Sequence, residues 1–225
     1  MTGLQRIRAA LCGEIPDRVP VMLHNFMMAA RQAAYSMRQF RESPEAVARS
    51  FIRAVEEFDY DGILLDIDTV TLAGAHMVSN GDSLAGPDVV SPRMYRQFAA
   101  PYEKRLVDAA HAAGLPYVLH LCGKTDRILE DMLATGADGL ELDYKTDVHL
   151  AHSLMRSRAT FIGNLDPSGV LALGTPELIE QKTRELVSLF ADTPRFILNA
   201  GCAIPADTPP ENLHAMIRAA RGTGL

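Results

Sequence analysis

Residues 116–143, PYVLHLCGKTDRILEDMLATGADGLELD, read as strand, helix, strand. PYVLHLCG is an apolar run of strand length. TDRILEDMLATG carries apolar residues at helical spacing and stops at a glycine, and ADGLELD is a second strand-length run. The same alternation extends in both directions. Downstream come a strand (ATFIGNLD), a helix (TPELIEQKTRELVSLF), a strand (RFILNAGC) and a closing helix, DTPPENLHAMIRAARG, with proline in its first turn. Upstream, SPRMYRQFAAPYEKRLVDAAHAAG predicts one helix from Ser91 to about Ala113, ended by Gly114 and kinked at Pro101. Before it, DGILLDID predicts a strand over Gly62 to Ile67, apolar throughout as in a parallel strand buried on both faces. A helix beginning at Pro44, with Ser43 as N-cap, carries an apolar stripe of Val47, Phe51, Val55 and Phe58. RVPVML gives a first strand around Val19 to Leu23. An opening helix, Leu4 to Leu11, ends at Cys12-Gly13 with Pro16 beyond it.

Strands alternating with helices at this pitch are parallel βα units, which close into a barrel or form an open doubly wound sheet. No G-x-G-x-x-G follows the first strand, which removes the main mark of a dinucleotide-binding sheet. The second half collects polar residues at strand C-terminal ends: His120 and Cys122, Asp143, Asn164 and Asp166, Asn199 and Cys202. That is where a barrel gathers its active site, so the expected fold is an α/β (β/α)8 TIM-type barrel. One strand–helix unit is missing from it. Only Ile67 to Ala75 separates the second strand from the next candidate, HMVSNGD (His76 to Asp82), whereas a crossover between parallel neighbours takes about a dozen residues or more. About seven strands are therefore expected, near residues 20, 64, 78, 119, 141, 162 and 198, in a single domain over residues 1–225.

The bulk figures suit a globular enzyme-sized domain. The chain has 225 residues, 48% of them hydrophobic and 22% charged, and a net charge of -6 that argues against a nucleic-acid footprint. Its apolar runs are strand-sized and its first residues form a mixed amphipathic helix, so neither a membrane span nor a secretion signal is expected. Three scattered cysteines make no disulfide framework and suit a reducing cytoplasm.

His120 and Cys122 stand two apart on one strand and so point to the same face, at its C-terminal lip. Cys202 occupies the equivalent lip of the last strand. One imidazole and two thiolates suit zinc with a position left open, and Asp143, ending the intervening strand, is placed to supply an oxygen there. On spacing alone the alternative is that Cys122 and Cys202 are small buried hydrophobes. Cys12, at a helix end, is assigned to packing. His76, His111, His149, His152 and His214 fall on helices or loops and are expected at the surface.

These residues resemble the uroporphyrinogen decarboxylase superfamily, and within it the cobamide-dependent methyltransferase branch. RIRAALCGEIPDRVPVM is similar to the family's opening, and SPRMYRQFAAPYEKRLVDAAHAAGLPYVLHLCG to its central helix and H-x-C-G strand. GADGLELD, FIGNLDP and ILNAGCAIPADTPPENLHAMIRAAR resemble its last three strands and closing helix. The resemblance implies a zinc site at His120, Cys122 and Cys202, with Asp143 matching an acidic residue of the related cobalamin-independent methionine synthases. It implies methyl transfer from a methylated corrinoid, carried by a partner protein, to a small thiol. Asp66 aligns with the family's aspartate after the second strand and is the candidate catalytic carboxylate. His24, Asn25, Asp82, Asn164 and Asp166 are candidate substrate-binding residues. The alternative for Asn164 and Asp166 is capping of the turn before Pro167, and for Asp82 capping of a loop.

Two departures separate the chain from the family. HNFMMAARQAAYSM holds Arg31 and Arg38 but lacks the arginine-rich pattern with which true decarboxylases grip a porphyrinogen, and the segment with the third strand is missing before His76. Porphyrinogen decarboxylation is thus the second expectation. A binding-only derivative that completes itself as a homo-oligomer through its open edges is the third.

Overall fold

A computed structural model describes residues 1–64 and 76–222. The chain opens with α1 (Gly3–Cys12), started by a capping box between Thr2 and Gln5 and stopped by Gly13 at φ 77°. Strand β1 (Met22–Leu23) leads into α2 (Phe26–Gln32), α3 (Met37–Glu42) and α4 (Pro44–Phe58). Ser43 caps α4 by accepting from the Ala46 N–H, and Phe51 and Phe58 bury its stripe. After β2 (Gly62–Ile63) come β3 (Val78–Gly81), α5 (Pro92–Phe98), α6 (Ala100–Ala112), β4 (Tyr117–Leu121), α7 (Leu129–Ala134) and β5 (Gly139–Leu142). The chain continues through α8 (Val148–Met155), β6 (Thr160–Leu165), α9 (Pro176–Leu189), β7 (Phe196–Ala200) and α10 (Pro210–Gly222).

All pairings are parallel. Five strands lie in the order β3-β4-β5-β6-β7, and β1 pairs with β2. A bridge from Val21 to Leu198 joins the two sheets, so the full order runs β2-β1-β7-β6-β5-β4-β3. Among the described residues no ladder joins β2 to β3. Among these residues the barrel shows one open seam, between β2 and β3, where the sequence is short of a strand–helix unit. The expected fold is borne out in this form.

Alternation along the strands divides the core into two layers. Met22, Val118, Ile162 and Ile197 face inward and pack with Leu64 and with Ile7, Ala10 and Leu11 of α1, which plugs the N-terminal end of the barrel. The intervening residues, Leu119, Leu121, Leu140, Leu142, Phe161 and Leu198, face outward under the helices. Each such apolar side chain, fully buried, contributes about 1.5–3 kcal/mol relative to exposure. Polar ties hold the plug in place: Thr160 Oγ1 donates to the Ala10 carbonyl at 2.7 Å and Arg195 Nη1 to that of Leu11 at 2.9 Å.

Two expectations are corrected here. The helix over Ser91 to Ala113 is two helices, broken at Ala99 (φ −113°, ψ −60°), with Pro101 in the first turn of α6. Proline has no N–H to continue the helix and its ring crowds the preceding turn, so the chain restarts instead of bending. Cys12 is exposed at the end of α1 and does not pack in the core. Its neighbours Ala10 and Leu11 take the inward positions. Met94, Phe98, Tyr102 and Leu106 recur at every fourth position along α5 and α6 and are all exposed.

Candidate metal centre

Strand β4 carries His120 as its fourth residue, and Cys122 follows one residue past the strand's end. Period two turns Val118, His120 and Cys122 to the inside, and the order of these residues sets depth. Val118 belongs to the plugged core and His120 to the upper interior, while Cys122 stands at the lip, half exposed. Cys202 lies two residues beyond β7 on the same rim. Gly201 before it is packed so closely that any added Cβ would run into the backbone and side chain of Tyr144. That close approach fixes where Cys202 stands.

The ligand atoms of His120, Cys122 and Cys202 all lie within 4.8 Å of one another. Cys122 Sγ is 3.7 Å from Cys202 Sγ and 3.3 Å from His120 Nε2. A tetrahedral zinc with Zn–S of about 2.3 Å and Zn–N of about 2.0–2.1 Å implies an S···S edge of about 3.8 Å and an N···S edge of about 3.6 Å. The sulfurs are also far beyond the disulfide bond length of about 2.05 Å. One imidazole and two thiols with these two edges fit the donor chemistry and spacing of a zinc site.

The surroundings orient the set. His120 Nδ1 lies 3.0 Å from the Glu141 carbonyl oxygen, which fixes the tautomer that leaves Nε2 for the cluster. Ser83 Oγ donates to Cys122 Sγ at 3.1 Å. Hydrogen bonding to Cys202 and then to His120 pulls the Cys122 thiol far below its ordinary range, against the effect of burial. The bond to Cys122, with burial, pushes Cys202 up. Burial lowers His120, but its bond to Cys122 and the nearby Glu141 carboxylate outweigh that, and its pKa is raised. Of the two, Cys122 is the more acidic thiol.

Glu141 is a residue of the site that the sequence analysis did not single out. It is fully buried in β5, paired in register with His120. Its Oε1 accepts from Asn199 Nδ2 at 2.8 Å and lies 3.5 Å from His24 Nδ1, while Oε2 is 3.4 Å from His120 Nδ1. Asn199 Oδ1 in turn accepts from the His24 amide at 3.2 Å. The alternation of ADGLELD was the available signal: with Leu140 and Leu142 outward, Glu141 must face in.

The other expected residues divide. His24 lines the cavity above the cluster together with His120, Cys122, Cys202 and Glu141. Asp143 does not join the donors. Its Oδ2 accepts from the Gly123 N–H at 2.8 Å and its Oδ1 from the Lys145 N–H at 3.0 Å, so both oxygens are used in shaping the rim. Asp166 caps the turn starting at Pro167, accepting from the Ser168 and Gly169 amides at 2.9 Å each. Asn164 Nδ2 donates to the Asp143 carbonyl at 3.3 Å. Asn25 is fully buried beside Tyr60. Asp82 places no side-chain cap on the turn after it, and its charge acts on Tyr95, Glu103 and Tyr117 on the helix side of the sheet. None of these last four lines the cavity. Asp66 lies outside the described residues.

The cavity holds about 160 Å³. Phe26 and Leu64 form its apolar walls, and Ser79 and Ser83 supply hydroxyls.

The model of the uroporphyrinogen decarboxylase (URO-D) family matches the chain in two pieces, residues 2–73 and 67–223, which meet at the open seam. A methylcobamide:CoM methyltransferase, MtbA of Methanosarcina acetivorans, is 33% identical over 148 residues, 66% of this chain and 42% of its own length. A uroporphyrinogen decarboxylase of Pseudoalteromonas atlantica is 33% identical over 162 residues, 71% of this chain and 44% of its own. The chain thus spans under half the length of these relatives. A solved methyltransferase from Methanosarcina mazei superposes with a TM-score of 0.86 at 19% identity, over 98% of each chain, a likeness of fold.

Proposed function

The chain belongs to the uroporphyrinogen decarboxylase (URO-D) family, and from that premise we propose that it is a zinc-dependent methyltransferase, moving a methyl group from a methylated corrinoid on a partner protein to a small thiol. The observation that carries this reading is the convergence of His120 Nε2, Cys122 Sγ and Cys202 Sγ within 4.8 Å of one another, with the two edges at Cys122, 3.3 and 3.7 Å, near those of a zinc tetrahedron. Residues 1–225 act as one domain in this reading, and Asp143 serves the rim.

Zinc, when bound, would supply Lewis acidity that favours the anionic form of a thiol at neutral pH, as metals do for water. The chain's own residues do the rest. Glu141 and its backbone carbonyl hold the His120 ring, and Asn199 holds Glu141. Ser83 orients Cys122. Phe26 and Leu64 exclude water from one side of the thiol and leave its sulfur facing the mouth, where the corrinoid protein docks. A methylated corrinoid presented at that mouth would supply the methyl group to the thiol sulfur and take up the electron pair of the bond it gives up.

Porphyrinogen decarboxylation fits the cavity poorly. A substrate with many carboxylates calls for cationic partners, yet no lysine or arginine is among the described residues lining the cavity, and Arg31 and Arg38 are exposed. The volume of about 160 Å³ also lies below the 300–1,000 Å³ usual for drug-sized ligands.

Metal analysis of purified protein tests the reading, together with methyl transfer from methylcobalamin to thiols. About one zinc per chain, lost in Cys122→Ser along with activity, is the expected result. Protein without stoichiometric zinc, or with zinc indifferent to that substitution, overturns it.

A further inference from the structure

We propose that the flank of α5 and α6 beside the open seam is a dimer interface, on which a second copy of this chain packs about a twofold axis. Successive residues of a helix lie about 100° apart, so each helix presents separate flanks on either side of its buried face. On α5, Tyr95 faces the sheet and is fully buried, and Arg96 reaches Asp131 of α7 at 2.8 Å. On α6, Glu103 and Val107 face the sheet, and His111 reaches Asp138, at the start of β5, at 2.8 Å. One flank of both helices is thus turned toward α7 and β5. Met94 and Phe98, then Tyr102 and Leu106, fall on the opposite flank, on the side of β3 where the seam lies. In a complete barrel each outer helix stands between two others. Here Met94 is 47% exposed, Phe98 62%, Tyr102 59% and Leu106 48%, so among the described residues nothing covers this flank.

The order of the ridge points to a second copy as its occupant. Aliphatic, aromatic, aromatic, aliphatic at four-residue spacing reads the same in both directions. An antiparallel copy therefore sets Met94 against Leu106 and Phe98 against Tyr102, and such self-complementarity is what a twofold contact requires. Ridges of this spacing interlock at a crossing angle of about −50°, the commonest way for two helices to pack. The flank carries no charged residue, so doubling it opposes no like charges, and Arg105 at its border is held over the ring of its own Tyr102 at 5.8 Å. Four side chains of this size, half exposed or more, offer on the order of 1,000 Å² between two copies, about the least that a specific interface needs. The dimer is accordingly a reversible one. It steadies β3, whose Ser79 and Gly81 wall the cavity, and it does not depend on the reaction proposed there.

Sedimentation velocity on the full chain, from nanomolar to high micromolar concentration, tests the interface. The parent should pass from monomer to dimer and no further. Phe98→Glu and Tyr102→Lys should each weaken the dimer at least tenfold, whereas Ile15→Glu, at an exposed position beyond α1, should leave it unchanged. An equal mixture of Phe98→Glu and Tyr102→Lys should dimerise more tightly than either variant alone, because the antiparallel register brings the new acid against the new amine. Both positions are exposed, so the variants should melt close to the parent; Phe98→Gln and Tyr102→Gln stand in for any that does not. A parent that stays monomeric throughout overturns the proposal and leaves the flank to a different partner or to none. A dimer indifferent to both substitutions, held instead by the strand edges, overturns it as well. So do species larger than a dimer, or a mixture that associates no better than its components.

Discussion

Replacing Glu141 by glutamine isolates the contribution of the buried carboxylate without changing its shape. In the native protein Oε1 accepts from Asn199 Nδ2 at 2.8 Å and Oε2 faces His120 Nδ1 at 3.4 Å. The carboxylate accepts from Asn199 and sets a charge beside the His120 ring, whose Nδ1 is held by the Glu141 carbonyl at 3.0 Å. Glutamine removes that charge and, with its oxygen kept toward Asn199, turns an amide N–H at the His120 ring, where it has no acceptor. Leaving a buried donor unsatisfied costs about 1–3 kcal/mol, and altering the outer contacts of a ligating histidine typically weakens metal binding about 10- to 100-fold. The expected outcome is a zinc affinity reduced by about tenfold or more, read by competition with a chromophoric chelator at pH 7. The metal-free variant should melt within a few degrees of the parent, since His120 keeps the Glu141 carbonyl at 3.0 Å. A zinc affinity within twofold of the parent, in a variant that melts normally, would refute the assignment of Glu141 to orienting His120.

Other outcomes follow from the same structure. Gly201→Ala changes no donor atom, yet its Cβ must displace the Tyr144 backbone or the rim that bears Cys202, so zinc content should fall; full occupancy would mean the rim yields freely. Burial raises Glu103 to about 7 from its ordinary value of 4.5, against the bond it accepts from Tyr95. The folded state therefore holds this proton more tightly than the unfolded chain. Stability from this source is complete below pH 4.5 and is lost as pH rises toward 7, by about 3 kcal/mol in all. Melting temperatures measured from pH 4.5 to 8 should show that decline, and Glu103→Gln, whose amide oxygen still accepts from Tyr95, should flatten it. Ile162→Ala opens a hole in the inner layer beside the plug helix and should cost about 2–5 kcal/mol in denaturant melts while leaving the zinc donors intact. The edges of β2 and β3, which no described strand pairs, together with the exposed stripe from Met94 to Leu106, should lead to self-association in light scattering. A monomer at all concentrations would show that the open edges are tolerated.

The seven strands and the missing unit were legible because parallel strands buried on both faces are nearly unbroken apolar runs, and because nine residues cannot make a crossover. The convergence of His120, Cys122 and Cys202 was legible from period two on β4 and from the matching lip of β7. Asp143 was misplaced because position along a strand gives the face but not the turn after it. There the Gly123 and Lys145 amides had unmet hydrogen bonds, and a carboxylate one residue past the strand was the acceptor at hand. Asp166 went the same way, with the Ser168 and Gly169 amides. The break at Ala99 was hidden because a proline two residues inside a helix start and a proline inside a helix differ only in what the preceding turn does.

A closed barrel is a hoop, in which a load on any strand is shared around the ring. Among its described residues this one is a split collar. Its two lips are β2 and β3, and the stiffness of each depends on how firmly the strands behind it are held. Cys122 stands at the end of β4, one strand in from one lip, and Cys202 beyond β7, with β5 and β6 between them. An ion gripped by both would act as a clasp across that arc, fastening the part of the collar next to β3 to the part packed on α1. The metal centre would then set how far the split can spring open.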